Sequence, residues 1–112
     1  MKGLLHNSAG MTDIMVFGMP WEIRGMPTTA IGEPIALIEC GGPEWLVRGY
    51  FTISDCVKIT EENSALFTQH AGRKYVEHYK EPHAWPIENL ESCTPKIVPK
   101  SHGCVTWVEI TE

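Results

Sequence analysis

Apolar residues in this chain come in short runs, separated by Gly, Pro and small polar residues. Residues 2–6 form an apolar opening of strand length, and Asn7-Ser8-Ala9-Gly10 reads as a loop. Thr12 is placed to cap a short helix, with Asp13 in its first turn and Gly18 beyond its end. Ile14, Met15 and Phe17 supply its buried side. A second strand runs from Trp21 to Arg24, and Gly25, Pro27, Gly32 and Pro34 make residues 25–34 a loop.

Ile35 to Glu39 is a continuous apolar run of strand length, broken by Gly41-Gly42-Pro43. From Trp45 to Ile53 the pattern alternates, with Trp45, Val47, Gly49, Phe51 and Ile53 on one face and Leu46, Arg48, Tyr50 and Thr52 on the other. These two runs are expected to pair as a hairpin-like unit. Thr60, followed by Glu61 and Glu62, reads as a helix N-cap with acidic residues at the positive end of the dipole. Leu66, Phe67 and His70 are expected inward, Gly72 divides the segment, and Tyr75, Val76 and Tyr79 give a second helical face. Ala84 to Ile87 reads as a strand with a proline inside it. Because proline donates nothing to a ladder, Pro86 predicts an edge strand. Pro95 and Pro99 bracket a short Lys96–Val98 strand, and Gly103 opens a last strand from Cys104 to Ile110, buried on much of both faces. The pattern thus predicts one small α+β domain over residues 1–112, dominated by antiparallel sheet that is closed or nearly closed.

Composition narrows the classes. A chain of 112 residues has room for one modest core, and 43% hydrophobic content is ordinary for a globular protein. No apolar run approaches the ~20 residues of a membrane span. The opening Met1-Lys-Gly-Leu-Leu-His6 is too short and too quickly polar for a secretory signal, so the expected location is the cytoplasm. Cys40, Cys56, Cys93 and Cys104 lie far apart and are read as reduced thiols. His102-x-Cys104, with Cys93 as the nearest third ligand, lacks the paired spacing of a structural zinc site, so neither metal nor cofactor is expected. A net charge of −5 argues against binding along extended duplex DNA, which needs many Lys and Arg contacts to phosphate. It leaves room for one nucleotide in a pocket.

Candidate chemistry concentrates in Gly18-Met-Pro-Trp21-Glu22-Ile23-Arg24-Gly25. On a strand, Glu22 and Arg24 share one face and Trp21 and Ile23 the other. Arg24 can hold a base edge or a phosphate, or it can simply pair with Glu22, whose expected role is to orient it. Trp21 and Trp85 can serve as stacking platforms for bases or as core residues. No Gly-x-Ser-x-Gly, phosphate-cradling glycine loop or His-Glu-x-x-His motif is present.

Trp21-Glu-Ile-Arg24 followed by a Thr-containing loop resembles the signature segment of the ASCH domain, a member of the PUA-like superfamily. The order continues through Ile35-Ala-Leu-Ile-Glu39, Val47-Arg-Gly-Tyr-Phe-Thr-Ile-Ser-Asp-Cys56, Tyr79-Lys80, His83-Ala-Trp-Pro-Ile-Glu-Asn89 and Gly103-Cys-Val-Thr-Trp-Val108. Each block is similar to an ASCH block and stands in the family's order. The resemblance implies a small PUA-like β-barrel of five to seven mostly antiparallel strands with two or three short helices. It also implies a central cleft containing Arg24, with Ser8 and Asn89 at loop positions where either can bond a ligand or cap a turn.

Departures from the pattern bear on activity. In the family, Gly-Lys-Lys-Thr or a similar run precedes the signature, where this chain has Phe17-Gly-Met-Pro20. Members that hydrolyse an acetylated cytidine use the Lys before that Thr. Met19 and Pro20 occupy those two positions here, and Glu22 stands where the enzymes have another Thr. The Trp that often follows Ser-Pro in the family is also missing after Ser8. A thioether cannot carry the charge or the proton of a lysine. The expected function is therefore a nucleotide- or single-stranded-RNA-binding module, with ligand-binding candidates Ser8, Trp21, Glu22, Arg24, Trp85 and Asn89. The alternatives are a divergent enzyme acting on a modified nucleoside or RNA, and a protein-interaction module.

Overall fold

Each strand-length apolar or alternating run in the first half becomes a strand, because each offers side chains to at least one buried face. The computed structural model describes residues 1–100 and 106–111. In chain order the elements are β1 (Lys2–His6), α1 (Ser8–Met15), β2 (Trp21–Arg24), β3 (Ile35–Glu39), β4 (Trp45–Ile53), β5 (Val57–Lys58), α2 (Ser64–Phe67), α3 (Arg73–His78), β6 (His83–Val98) and β7 (Trp107–Glu109). The strands form one curled mixed sheet in the order β2-β6-β4-β3-β1-β7, with β5 also on β6. This half-barrel with three short helices is a small α+β, PUA-like fold. β3 and β4 pair antiparallel as expected, but β3 also pairs in parallel with β1, so the sheet is not wholly antiparallel.

Two clusters make up the core. One gathers Leu4, Leu37, Phe51, Ile53 and Trp85, and the other Leu5, Ile38, Trp45 and Val47. Neighbouring residues of β1 thus enter different clusters, as a period of two requires. β4 serves both clusters with residues of the same parity. The register passes from Leu37↔Gly49 to Ile38↔Val47 and skips Arg48. That bulge turns Trp45 and Val47 toward one cluster while Phe51 and Ile53 stay with the other.

Five local expectations are corrected. The segment Asn7–Gly10 is not a loop: α1 starts at Ser8, with Asn7 as its cap, Oδ1 accepting from the Gly10 amide at 2.7 Å. Thr12 lies inside the helix and its hydroxyl donates back to the Ser8 carbonyl at 2.9 Å. Phe17 lies past the helix end and is 71% exposed instead of buried. Thr60 does not cap α2. Asn63 holds that position, its side chain accepting from the Thr60 amide and donating to the Lys58 carbonyl. α2 is a single turn that buries Phe67 and leaves Leu66 and His70 exposed.

β6 is not an edge strand, despite Pro86. His83–Pro86 pair with β2, and from Ile87 onward the strand pairs with β4. The missing proline N–H falls at this change of partner, where Ile87 N–H donates to the Pro20 carbonyl and Pro86 O accepts from Ser54. Lys96–Val98 is not a separate strand but the end of β6, and Pro95 sits where the register slips between Ser92 and Lys96. At the other end only Trp107–Glu109 is strand, and Gly103, Cys104 and Val105 lie outside the described residues. No helix is long and apolar enough to cross a membrane among the described residues.

Candidate functional site

The alternation of β2 places Glu22 and Arg24 on one face, and the fold brings the last residue of β1 against them. His6 Nδ1 lies 3.1 Å from the Leu4 carbonyl, and Nε2 makes a short hydrogen bond to Glu22 Oε1. Glu22 Oε2 accepts from Arg24 Nε at 3.0 Å, and Arg24 Nη2 donates to the Leu5 carbonyl at 2.8 Å. His6 and Glu22 are buried and Arg24 nearly so. His6 thus faces an oxygen at each ring nitrogen. Burial by itself would raise the Glu22 pKa. The charges of His6 and Arg24 and their hydrogen bonds outweigh it and hold the carboxyl at about 2. Glu22 is thus an ionised carboxylate held between His6 and Arg24.

These residues line a cavity of about 100 Å³ between the end of β1 and the whole of β2, roofed by α1 and α3. β1 and β2 do not pair with each other, so the cavity occupies the seam where the half-barrel stays open. Met19, at the position of the lysine in the resemblance, is buried in its wall. Tyr75 and Tyr79 close it from the side of α3.

A second polar cluster fixes that roof. Asp13 of α1 is buried, and its Oδ2 accepts from the Tyr75 hydroxyl at 2.5 Å and from Lys74 Nζ at 2.8 Å. Burial opposes the Asp13 charge, but the bonds from Lys74 and Tyr75 bring its pKa below the usual range. Burial, and then the hydrogen bond to Asp13, push the Tyr75 phenol well above its ordinary value. Tyr75 therefore stays protonated and donates.

The six residues singled out from the sequence divide in two. Trp21, Glu22 and Arg24 line the cavity. Trp21 is also a core residue, packed edge-on against Phe67 at 4.9 Å and His70 at 5.8 Å. Ser8, Trp85 and Asn89 lie elsewhere. Ser8 donates to Glu39 at 2.8 Å beside a separate groove on the outer side of α1, and its bond and that of Arg48 lower the Glu39 pKa. Trp85 is fully buried, stacks on Trp107 with ring centroids 5.7 Å apart, and donates to the Met26 carbonyl. Asn89 sits in a β6 bulge with φ of 55° and donates to Thr52. His6, Asp13 and Tyr75 were not picked out from the sequence. The available signal was a histidine ending an apolar strand run, since such a His needs a buried partner. No group of three metal-ligating side chains occurs among the described residues, and His102 and Cys104 lie outside them.

No family model matches the sequence. No curated protein matches it either. Among solved structures, the fold superposes on the crystal structure of ASCH from Zymomonas mobilis with a TM-score of 0.60, at 16% identity over 84% of this chain and 71% of the other. A tyrosine-to-phenylalanine mutant of the Zymomonas mobilis protein gives a TM-score of 0.62 at 15% identity, covering 85% of this chain and 73% of the other. The ordered blocks around Trp21–Arg24 and the curled seven-stranded sheet therefore lead to one conclusion: the chain has an ASCH-like fold.

Proposed function

We propose that this chain is a nucleotide- or single-stranded-RNA-binding module that takes its ligand in the cleft between β1 and β2. The observation that carries this reading is the buried His6–Glu22–Arg24 chain at the cleft, with the guanidinium pinned at two points. A planar donor fork held rigidly in a partly apolar pocket suits a base edge or a single phosphate. The ASCH-like fold and the cleft's place in the open seam support it. The overall charge of −5 fits local recognition by a few donors and not an extended basic track. The same reading places its work in the cytoplasm, where the free thiols Cys40, Cys56 and Cys93 would stay reduced.

Arg24→Ala and Arg24→Lys test this, with affinity for short single-stranded RNAs and nucleoside monophosphates read beside the melting temperature. Loss of a charge-assisted hydrogen bond of ~1.5–3 kcal/mol lowers affinity roughly tenfold or more. Lysine restores little, because an ammonium does not reproduce the fork. The wild-type salt dependence is shallow, about one or two phosphate contacts at most. Unchanged affinity in a folded Arg24→Ala protein ends the ligand-binding role of this residue.

A further inference from the structure

The cleft at the His6–Glu22–Arg24 chain is small. Its volume is about 100 Å³, whereas an apolar cavity of ~150 Å³ holds one benzene ring and pockets for small ligands run from ~300 to ~1,000 Å³. As it stands, the cleft has room for a few waters and for no ring. A nucleotide reaches Arg24 only if a wall gives way.

A second pocket, of about 300 Å³, lies outside the cleft between the start of α1 and α3, with Lys74 and His78 on its rim. The two spaces share Asn7, Tyr75 and Tyr79, and these three side chains form the partition between them. Two of the three are tied down. Asn7 caps α1 by accepting from the Gly10 amide at 2.7 Å. Tyr75 donates to Asp13 at 2.5 Å, and its hydroxyl lies close to Gly10 of α1. Tyr79 is held differently. It stands one residue past the end of α3 on extended backbone, with φ of −100° and ψ of 145°. It is half-buried, and its hydroxyl makes no hydrogen bond among the described residues. Its ring meets His78 edge-on at 4.8 Å and lies against the backbone of Gly25, where an added β-carbon would come within 2.6 Å of Tyr79 Cδ1. Turning this ring away therefore breaks no hydrogen bond, and a side-chain rotation is a far faster motion than the displacement of a helix.

With the Tyr79 ring turned out, the two spaces join into one of about 400 Å³, inside the range of ligand pockets. The inner end offers the N–H groups of Arg24 that Glu22 and Leu5 do not use. The outer end offers the Lys74 ammonium, which keeps donors beyond the one that meets Asp13, and the exposed His78 ring. Resting on the nucleotide-binding reading above, we infer that Tyr79 is a swinging partition and that the site for one mononucleotide unit is the cleft and the α3 pocket joined. An oxygen acceptor of the ligand meets Arg24, and the rest of the ligand lies beside Lys74 and His78.

The test uses the full chain with 3-fluorotyrosine at its three tyrosines, Tyr50, Tyr75 and Tyr79, titrated with uridine and adenosine monophosphates and followed by fluorine resonance. Nucleotide moves the Tyr79 signal and leaves that of Tyr50, which lines neither space, in place. Gly25→Ala crowds the ring off its seat. It moves the Tyr79 signal before any ligand is added and tightens nucleotide binding at least threefold, because the closed state no longer competes with the ligand. Tyr79→Ala, which removes the partition, does the same to affinity and decides the matter if Gly25→Ala fails to fold. Nucleotide binding that is lost in Arg24→Ala, but with a motionless Tyr79 signal and unchanged affinity in both variants, overturns the partition and leaves the nucleotide-binding module standing. Nucleotide binding that survives Arg24→Ala intact overturns the joined site in favour of the outer pocket alone. No binding of either monophosphate or of single-stranded RNA overturns both readings.

Discussion

Replacing Glu22 exposes what the buried charge cluster is worth. In Glu22→Ala the carboxylate that both His6 and Arg24 face is gone, while the Arg24 guanidinium stays largely buried without it. Removing one partner of a buried ionic group costs about 3–5 kcal/mol, a large part of the ~5–15 kcal/mol that holds a small domain together. At about 4 °C per kcal/mol, the midpoint of thermal unfolding drops by roughly 12–20 °C. Glu22→Gln keeps the shape, removes the charge and isolates the pH dependence. The folded carboxyl sits at about 2, below its ordinary value of 4.5. A lowered folded-state pKa stabilises the protein above the unfolded value and loses that contribution as pH falls toward the folded one. The wild type should therefore lose about 3 kcal/mol between roughly pH 4.5 and pH 2 that Glu22→Gln does not lose. Urea unfolding followed by tryptophan fluorescence, from pH 7 down to pH 2.5, measures both effects. The two stability curves should be farthest apart at pH 5–7 and converge in acid. Parallel curves, or a cost of Glu22→Ala below about 1 kcal/mol at pH 7, would refute the picture of an ionised carboxylate locked between His6 and Arg24.

Asn7→Ala removes the side-chain bond to the Gly10 amide and should cost about 1 kcal/mol in urea, with Asn7→Ser restoring most of it. A loss indistinguishable from zero would place the start of α1 elsewhere. The chain should not hydrolyse N4-acetylcytidine, because buried Met19 stands at the lysine position and Lys74, on the neighbouring rim, is tied to Asp13 at 2.8 Å. Turnover above a heat-killed control that disappears in Lys74→Ala would show that Lys74 does the missing lysine's work.

What the sequence by itself determined was local. Trp21–Arg24, Ile35–Glu39 and Trp45–Ile53 are strands at the bounds their apolar patterns imply, because a period of two or a short, fully apolar run leaves few alternatives. The shared face of Glu22 and Arg24 follows from that same period, and the ordered blocks around them carried the ASCH-like resemblance. Helix starts were less legible. α1 is capped by Asn7 and not Thr12, and α2 starts after Asn63 and not Thr60. Tertiary structure decided everything that joins distant residues. Pro86 reads as an edge marker, yet β6 sits inside the sheet, because it changes partners at the proline and needs no N–H there. The parallel pairing of β1 with β3 has no local signature, and it is what brings His6, sixteen positions before Glu22, to the buried carboxylate. The same long-range packing set Tyr75 against Asp13, 62 positions apart, and left the Trp21 indole N–H without a partner among the described residues. A strand pattern states which face a side chain takes; only the closing of the sheet states what it meets there.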